Sequence, residues 1–600
     1  MGKMTGKQDF NLGLNMRSHW KLLIPLVSLI FLHSTLINSA FSQSRFYSDA
    51  LSGGNYMHNF YFPPSPSSTP WAPEWSPDGT WIAVAMQGSI WKVDPVTGVS
   101  HEITYDSDSY HSSPDWSPDG RWIVFTSDYD HQRIQLEILN VDTGEISKLT
   151  NDQAIYTSPV FSPDGTKIAN VSTSPNGYFN LFVREIVDGR WAGDPIPVSK
   201  DNDFGRSRLY FGRWDMHIAP SWLPSGEELL VVSNRDVPLG SGNVLRIPAR
   251  ENGILEGTTV LAEQSLYRTR PDVSLDGKRF VYSSTSGSAD QFNNLYVQPT
   301  VGGEPYKLTF YNHDAFHPRW SPDGEWIAFI SNEHGVSELR LLETYGGKLI
   351  EREITEMHFK RPMGFLSVRV VDAASEELTQ NRIHLVGSDG KFYAPNEAYA
   401  RAGMRGDLIF HNEGSFKVAL PEGETNLKIV KGFEFFPEEV EIDIEANEVT
   451  AITVSMSRLT DMGAKGWYNA STHVHANYGG NLHNTLENLM MMSRAEDQDL
   501  VLEQVANKDN RILDYQFFEP GGGAHSISES DQVVVVGQEY RPPFYGHVFM
   551  FGLKEHLISP FVTGYEGTAV ESLYPSNTDM FLKAKSQGAI TGYVLSLIHI

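Results

Sequence analysis

The chain of 600 residues contains no cysteine, which excludes a disulfide framework, a thiolate metal site and lipidation at a lipobox. Large domains need no such staples, and this length suffices for three or four of them. A basic run is missing as well. Lys and Arg number 47 against 74 Asp and Glu, a formal net charge of −27, and the acidity is spread along the chain, which argues against nucleic acid or an anionic membrane as partner. The N-terminal apolar run from Leu22 to Leu32 is interrupted by Pro25 and falls short of the about 20 residues a membrane span requires. Preceded by Lys7, Arg17 and Lys21 and followed by Ser39, Ala40 and Ser42, it has the layout of a secretory signal peptide over residues 1–42, an uncleaved anchor being the alternative. A periplasmic or secreted location is expected either way. Residues 43–70, rich in Pro and Ser, read as an extended lead-in.

What the chain does have is a phrase used six times: Trp75-Ser-Pro-Asp-Gly79, Trp116-Ser-Pro-Asp-Gly120, Phe161-Ser-Pro-Asp-Gly165, Trp222-Leu-Pro-Ser-Gly226, Val273-Ser-Leu-Asp-Gly277 and Trp320-Ser-Pro-Asp-Gly324. Counted at the fourth turn position the intervals are 41, 45, 61, 51 and 47 residues, the length of a propeller blade. Pro presets φ at the second turn position, Asp tolerates the third and Gly closes the turn. Apolar strands follow, such as Trp122-Ile-Val-Phe-Thr126 and Leu229-Leu-Val-Val-Ser233, as strands covered on both faces require. An all-β six-bladed propeller over residues 71–350 is the expectation, with a long β-sandwich as the alternative. The repeats resemble those of TolB-like propellers, which implies a surface that binds proteins, peptides or glycans or that gates an attached catalytic domain. The Gly-x-Ser-x-Gly elbow of the serine-hydrolase branch is not found after the propeller.

Residues 362–459 alternate polar and apolar side chains in Leu366 to Val371, Arg382 to Val386, Ser415 to Leu420, Asn426 to Val430, Val440 to Ile444 and Thr450 to Val454. This predicts a small antiparallel β-sandwich, with 387–414 as an insertion or long loop. The stretch resembles the transthyretin-like carboxypeptidase regulatory domain, which implies a spacer or recognition role.

From residue 466 the pattern changes to strand, helix, strand. Thr472-His473-Val474-His475 places two imidazoles two residues apart, on one side of a strand. Asn484 and Glu487 read as a capping box before an apolar helix. The strand from Leu500 to Ala506 follows. Val533 to Gly537 leads into Gln538-Glu539, and Gly546-His547 opens the next strand. A further helix is expected over Asp579 to Gln587. Nitrogen and oxygen donors without thiolate suit zinc, manganese or iron, although a His-x-His pair on an exposed strand is the plainer reading of the first two. The segment 466–594 resembles the PHP superfamily of metallohydrolases, especially its CehA/McbA-like branch, on Thr472 to Gly480, Gly537-Gln-Glu539-Tyr, Gly546-His547 and Ala589 to Val594. The resemblance implies an incomplete α/β barrel with His473, His475, Glu539 and His547 as metal ligands and a divalent metal as cofactor. It also implies metal-dependent hydrolysis of an ester, amide or phosphoester.

Two departures qualify that likeness. Where the superfamily often has Thr-Asp-His, this chain has Ala506-Asn507-Lys508-Asp509. Lys508 and Asp509 are the catalytic candidates there, Lys508 as a cation for an anionic substrate or carboxylate and Asp509 as a weaker ligand; capping of a solvated strand end is the alternative. The histidine expected after Tyr593-Val594 is replaced by Leu595 to Ile600, which reads as an artefactual tail on a truncated barrel that would be inactive as it stands. The partners implied are a small-molecule, peptide or glycan substrate and a protein at the propeller, with no membrane after signal cleavage. A propeller binding protein with an inactive C-terminal domain is the alternative function. Three weaker signals complete the reading: His556 on a surface turn, Gly521-Gly-Gly523 as a connection or lid, and Arg213-Trp214-Asp215 with His217 as blade-edge structure or propeller mouth.

Overall fold

The computed structural model describes residues 69–594 apart from 130–132, 209–211, 239–241, 264–269, 286–291, 345–346, 403–407, 478–482, 509–510, 560–561 and 565–569. The signal peptide, most of the lead-in and the tail 595–600 lie outside the described residues. The chain is mostly β, with many four-stranded sheets, a curled mixed sheet and little helix.

Six four-stranded antiparallel meanders occupy residues 71–102, 109–148, 156–197, 217–261, 272–307 and 315–352. The first strand of each packs on the first strand of the next, and Trp71–Trp75 packs on Ala315–Trp320, so the ring closes. The repeated phrase explains each blade's first hairpin. Ser117 Oγ donates to Asp119 at 2.6 Å, Asp119 accepts from the Arg121 N–H at 3.0 Å, and the Trp122 N–H donates back to Ser117 Oγ at 2.9 Å. The same clamp recurs at Ser76/Asp78, Ser162/Asp164, Ser274/Asp276 and Ser321/Asp323. The closing glycines sit at φ of +70 to +73° in all six turns, a region glycine enters without steric cost. In the fourth turn Leu223 replaces the serine and is buried instead.

Inner strands share a second feature, a bulge at a residue of positive φ before proline: Ala72, Ser113, Ser158, Ala219 and His317. Glu74, Asp115 and Arg319, each just beyond one of those prolines, meet one another and Arg270, which precedes Pro271, between blades. Arg319 Nε lies 3.0 Å from Glu74, Arg270 Nη1 lies 3.0 Å from Asp115, and Arg270 also pairs with Glu74. After the sixth meander the chain returns to the first, where Glu356–His358 adds a parallel outer strand to Val99–Glu102.

The middle unit stacks a three-stranded sheet on a five-stranded one around Leu366, Val368, Ile383, Leu385, Phe410 and Leu427. It differs from the expected antiparallel sandwich, because Met363–Asp372 runs parallel to Val449–Met456. Segment 387–414 is no mere insertion either. Tyr399–Ala402 and Leu408–Asn412 extend the larger sheet, with Phe410 in the core.

The C-terminal sheet has the order Ala470–Val474, Leu500–Lys508, Val533–Tyr540, Val548–Phe551, Ile590–Tyr593. Its first three strands are parallel and its last two join antiparallel. The expected incomplete α/β barrel is seen here as a mixed sheet. A parallel crossover needs about a dozen residues, and 541–547 are too few, so the fourth strand must turn back. The helix Leu486–Ala495 is capped by Thr485, which accepts from the Asn488 N–H, and not by the expected Asn484. The second helix, Asn577–Ser586, begins with a Ser576/Asp579 capping box.

The units are packed together. The middle unit holds the C-terminal end of Leu486–Ala495: Glu496 meets Arg382 and His411 at 2.9 Å each, and Lys431 Nζ donates to the Arg494 carbonyl at 2.7 Å. Cations there complement the helix dipole. A Cβ on Gly335 of the last blade would meet Tyr399, Asn488 and His483 at 3.1–3.3 Å, so all three units meet at that glycine.

Candidate metal centre

Parallel pairing brings Ala470–Val474 beside Leu500–Lys508, which in turn pairs with Val533–Tyr540. Because the next strand returns antiparallel, the end of Val533–Tyr540 and the start of Val548–Phe551 lie together. That topology gathers residues distant in sequence around one carboxylate. Glu539 is buried. His475 Nε2 lies 2.8 Å from its Oε2, His473 Nε2 3.6 Å and His547 Nδ1 3.1 Å from its Oε1. One donor atom from each of His473, His475 and Glu539 falls within 4.8 Å of the others. His547 touches the same carboxylate from outside that compact trio.

The protonation states follow from the surroundings. His475 Nδ1 is 2.8 Å from the Gln504 carbonyl, a contact that requires N–H on that nitrogen and leaves a lone pair on Nε2 in the neutral ring. Nε2, carrying a lone pair in the neutral ring or an N–H in the cation, then faces a carboxylate oxygen at hydrogen-bond distance. Burial alone would raise the Glu539 carboxyl, but His473, His475 and His547 outweigh it and hold the group far below the usual carboxylate range. Neither Glu539 oxygen has a hydrogen-bond partner. A buried carboxylate and imidazole nitrogens converging in this way fit a shared cation, and the all-nitrogen-and-oxygen donor set suits zinc, manganese or iron.

Lys508 ends its strand in register with Arg511; its side chain and Asp509 lie outside the described residues. Acidic groups that the sequence reading passed over enter this geometry. Glu503 is fully buried behind the His-x-His strand, where burial and the neighbouring Asp514 push its carboxyl well up. Asp514 accepts from the Asn477 backbone and side-chain N–H groups at 3.1 and 2.6 Å, which ties down the segment after His475. Arg541 Nε stands 3.2 Å from Glu539 Oε2. Arg541 was detectable by its place two residues after Glu539, just past the end of that strand; Asp514, just after the return hairpin, carried no local signal.

The weaker candidates are structural. His556 is exposed beside Glu555. Gly521 donates its N–H to the Lys554 carbonyl at 2.8 Å, and Gly522 lies against Gly552 so closely that a Cβ would meet its carbonyl at 2.6 Å, so this loop is a docked connection. Asp215 is buried against Arg208, and His217 is buried beside Ser233.

Residues 65–192 match the PD40 family, the TolB beta propeller domain. Uncharacterized peptidase YuxL of Bacillus subtilis is 28% identical over 198 residues, which cover 32% of this chain and 24% of that protein. Uncharacterized protein Atu1656 of Agrobacterium fabrum is 29% identical over 207 residues, 34% of this chain and 61% of that protein. The chain thus spans about a quarter and about three fifths of these two curated relatives. Among solved structures, oligogalacturonate lyase from Vibrio parahaemolyticus shows 17% identity and a TM-score of 0.33, covering 46% of this chain and 78% of that one. TolB from Acinetobacter baumannii shows 18% identity and a TM-score of 0.25, with 47% and 53% covered. Tricorn protease shows 15% identity and a TM-score of 0.37, with 63% and 38% covered. The chain carries a TolB-like PD40 β-propeller region.

Proposed function

We propose that this protein is an exported metal-dependent hydrolase in which the propeller receives or positions the substrate and the C-terminal sheet performs the reaction, in the manner of the PHP superfamily. The observation that carries the reading is the convergence of His473, His475 and Glu539, whose donor atoms lie within 4.8 Å of one another, with His475 Nε2 2.8 Å from Glu539 Oε2. His473, His475 and Glu539 would hold the cation, with His547 completing the set. A divalent ion bound there supplies a nucleophile from water at neutral pH and polarises the scissile oxygen. Gln504 fixes the His475 tautomer through its carbonyl, and Asp514 fixes the chain that follows. The name of the Bacillus subtilis relative, a peptidase, agrees with hydrolysis as the reaction class.

The experiment is a panel of carboxylic esters, amides and phosphoesters assayed with zinc or manganese, with chelator, and with the His473→Ala variant. Hydrolysis that needs the metal and is lost in the variant supports the proposal. Metal-independent turnover, or equal turnover by the variant, contradicts it.

A further inference from the structure

One residue of each inner strand sits at the same level of the propeller ring. Glu74, Asp115, Val160, Ser221, Asp272 and Arg319 share a register position, each opposite the residue nine further along, as Asp115 is opposite Val124. Arg270, two residues before the fifth meander, reaches into this layer. Its Nη1 lies 3.0 Å from Asp115 Oδ1, and its Nη2 pairs with Glu74. In a ring of six the fifth blade stands opposite the second, so an ion pair between them forms only across the axis.

The rest of the layer holds that guanidinium in place. Asp115 also accepts from the Phe161 N–H of the third blade at 2.7 Å, Arg319 Nη1 donates to the Arg270 carbonyl at 3.2 Å, and Asp272 accepts from the Trp320 N–H at 2.8 Å. Five of the six blades are thereby tied through one layer. Only 11% of the Arg270 side chain is exposed. Swinging it aside would leave Asp115 without its cation in a buried setting, which is far more costly than the pair is stabilising.

The layer also divides the molecule. In each meander the second strand runs antiparallel to the first, so the hairpin that follows it lies where the inner strand begins. Two such hairpins touch the other units: Lys391 Nζ donates to the Gly88 carbonyl at 3.4 Å, and Gly335 adjoins Tyr399 and His483. The Ser-x-Asp-Gly turns project from the opposite face.

We propose that Arg270 is a plug across the axis of the propeller. It seals the ring between the Ser-x-Asp-Gly face and the face that carries the C-terminal sheet, so a ligand of that sheet arrives from the flank and not through the ring. The plug stands whether or not the sheet is a hydrolase.

The absence of cysteine allows a direct test by thiol labelling of the full chain. Ser221→Cys places a thiol in the layer on the fourth blade, where Ser221 is buried, and Ser225→Cys, in the exposed turn of the same blade, is the accessible control. Both are labelled with N-ethylmaleimide, alone and combined with Arg270→Gln or Arg270→Lys, with folding followed by circular dichroism. Ser221→Cys is expected to react at least about tenfold more slowly than the control, because the reagent must await an opening of the layer. Arg270→Gln should speed that reaction about tenfold, the equivalent of one charged hydrogen bond, and leave the control rate unchanged. Arg270→Lys keeps the charge on a single donor group; it should fall between, and it serves where Arg270→Gln does not fold. Equal rates at Ser221→Cys and Ser225→Cys in the otherwise intact chain overturn the proposal, since the axis is then open. A Ser221→Cys rate that neither Arg270 variant raises overturns it as well, because the layer is then closed without Arg270.

Discussion

His475 Nε2 and Glu539 Oε2 stand 2.8 Å apart while the other nitrogen of that imidazole is committed to the Gln504 carbonyl. Positive charge holds that contact together, either a proton on Nε2 or a cation shared by both side chains. This relationship sets the pair apart from two histidines on an exposed strand, which the spacing alone cannot do.

The repeated turn has an energetic signature. Asp119→Ala removes the acceptor of both the Ser117 hydroxyl and the Arg121 N–H, at about 1 kcal/mol for each hydrogen bond. Ser225→Ala, at the matching position of the fourth turn where Leu223 replaces the clamping serine, should change stability by less than about 0.5 kcal/mol. Urea denaturation followed by tryptophan fluorescence compares them, and equal shifts in midpoint would show that the clamp is not what the repeat encodes.

Glu496 ties the middle unit to the C-terminal end of the helix Leu486–Ala495. His411 and Arg382 outweigh burial and hold its carboxyl below the ordinary range. A lowered carboxyl contributes stability above its unfolded value of about 4.3 and loses it as the pH falls below that value. Glu496→Gln should therefore destabilise the protein by about 1–3 kcal/mol at pH 7, and the gap from wild type should narrow steadily as the pH falls below about 4.3. A gap that persists in acid would mean that packing, and not charge, holds the junction.

The network between blades titrates with the opposite sign. Burial, reinforced by Glu74, pushes Asp115 up to about 7, and burial pushes Asp272 up to about 6. Raised carboxyls stabilise most below their unfolded value of about 3.9, and that contribution disappears as the pH rises through 6 to 7. Between pH 5 and pH 8 the wild-type urea midpoint should fall, and Asp115→Asn should flatten the fall. A variant as pH-sensitive as wild type would remove Asp115 from the account.

The blades were legible because the chemistry of a Ser-x-Asp-Gly turn is complete within six residues, as Ser117 to Trp122 illustrate. The charges at Glu74, Asp115, Arg270 and Arg319 were not, since each finds its partner only when the ring closes. Strand alternation identified Leu366 to Val371 and Thr450 to Val454 but carries no direction, so their parallel pairing was hidden. The return of Val548–Phe551 was readable from the short link before it. His473, His475, Glu539 and His547 were picked out by spacing and likeness; Asn477 and Asp514 meet only through the folded hairpin.

The most direct measurement is the metal content of the purified protein after equilibration with zinc or manganese and removal of free ion, set beside His475→Ala and Glu539→Gln. The account predicts about one tightly held ion in wild type, in keeping with a site of three or four protein donors, and its loss from both variants while their folding is unchanged by circular dichroism. A wild type that retains no more metal than the two variants would contradict the central claim.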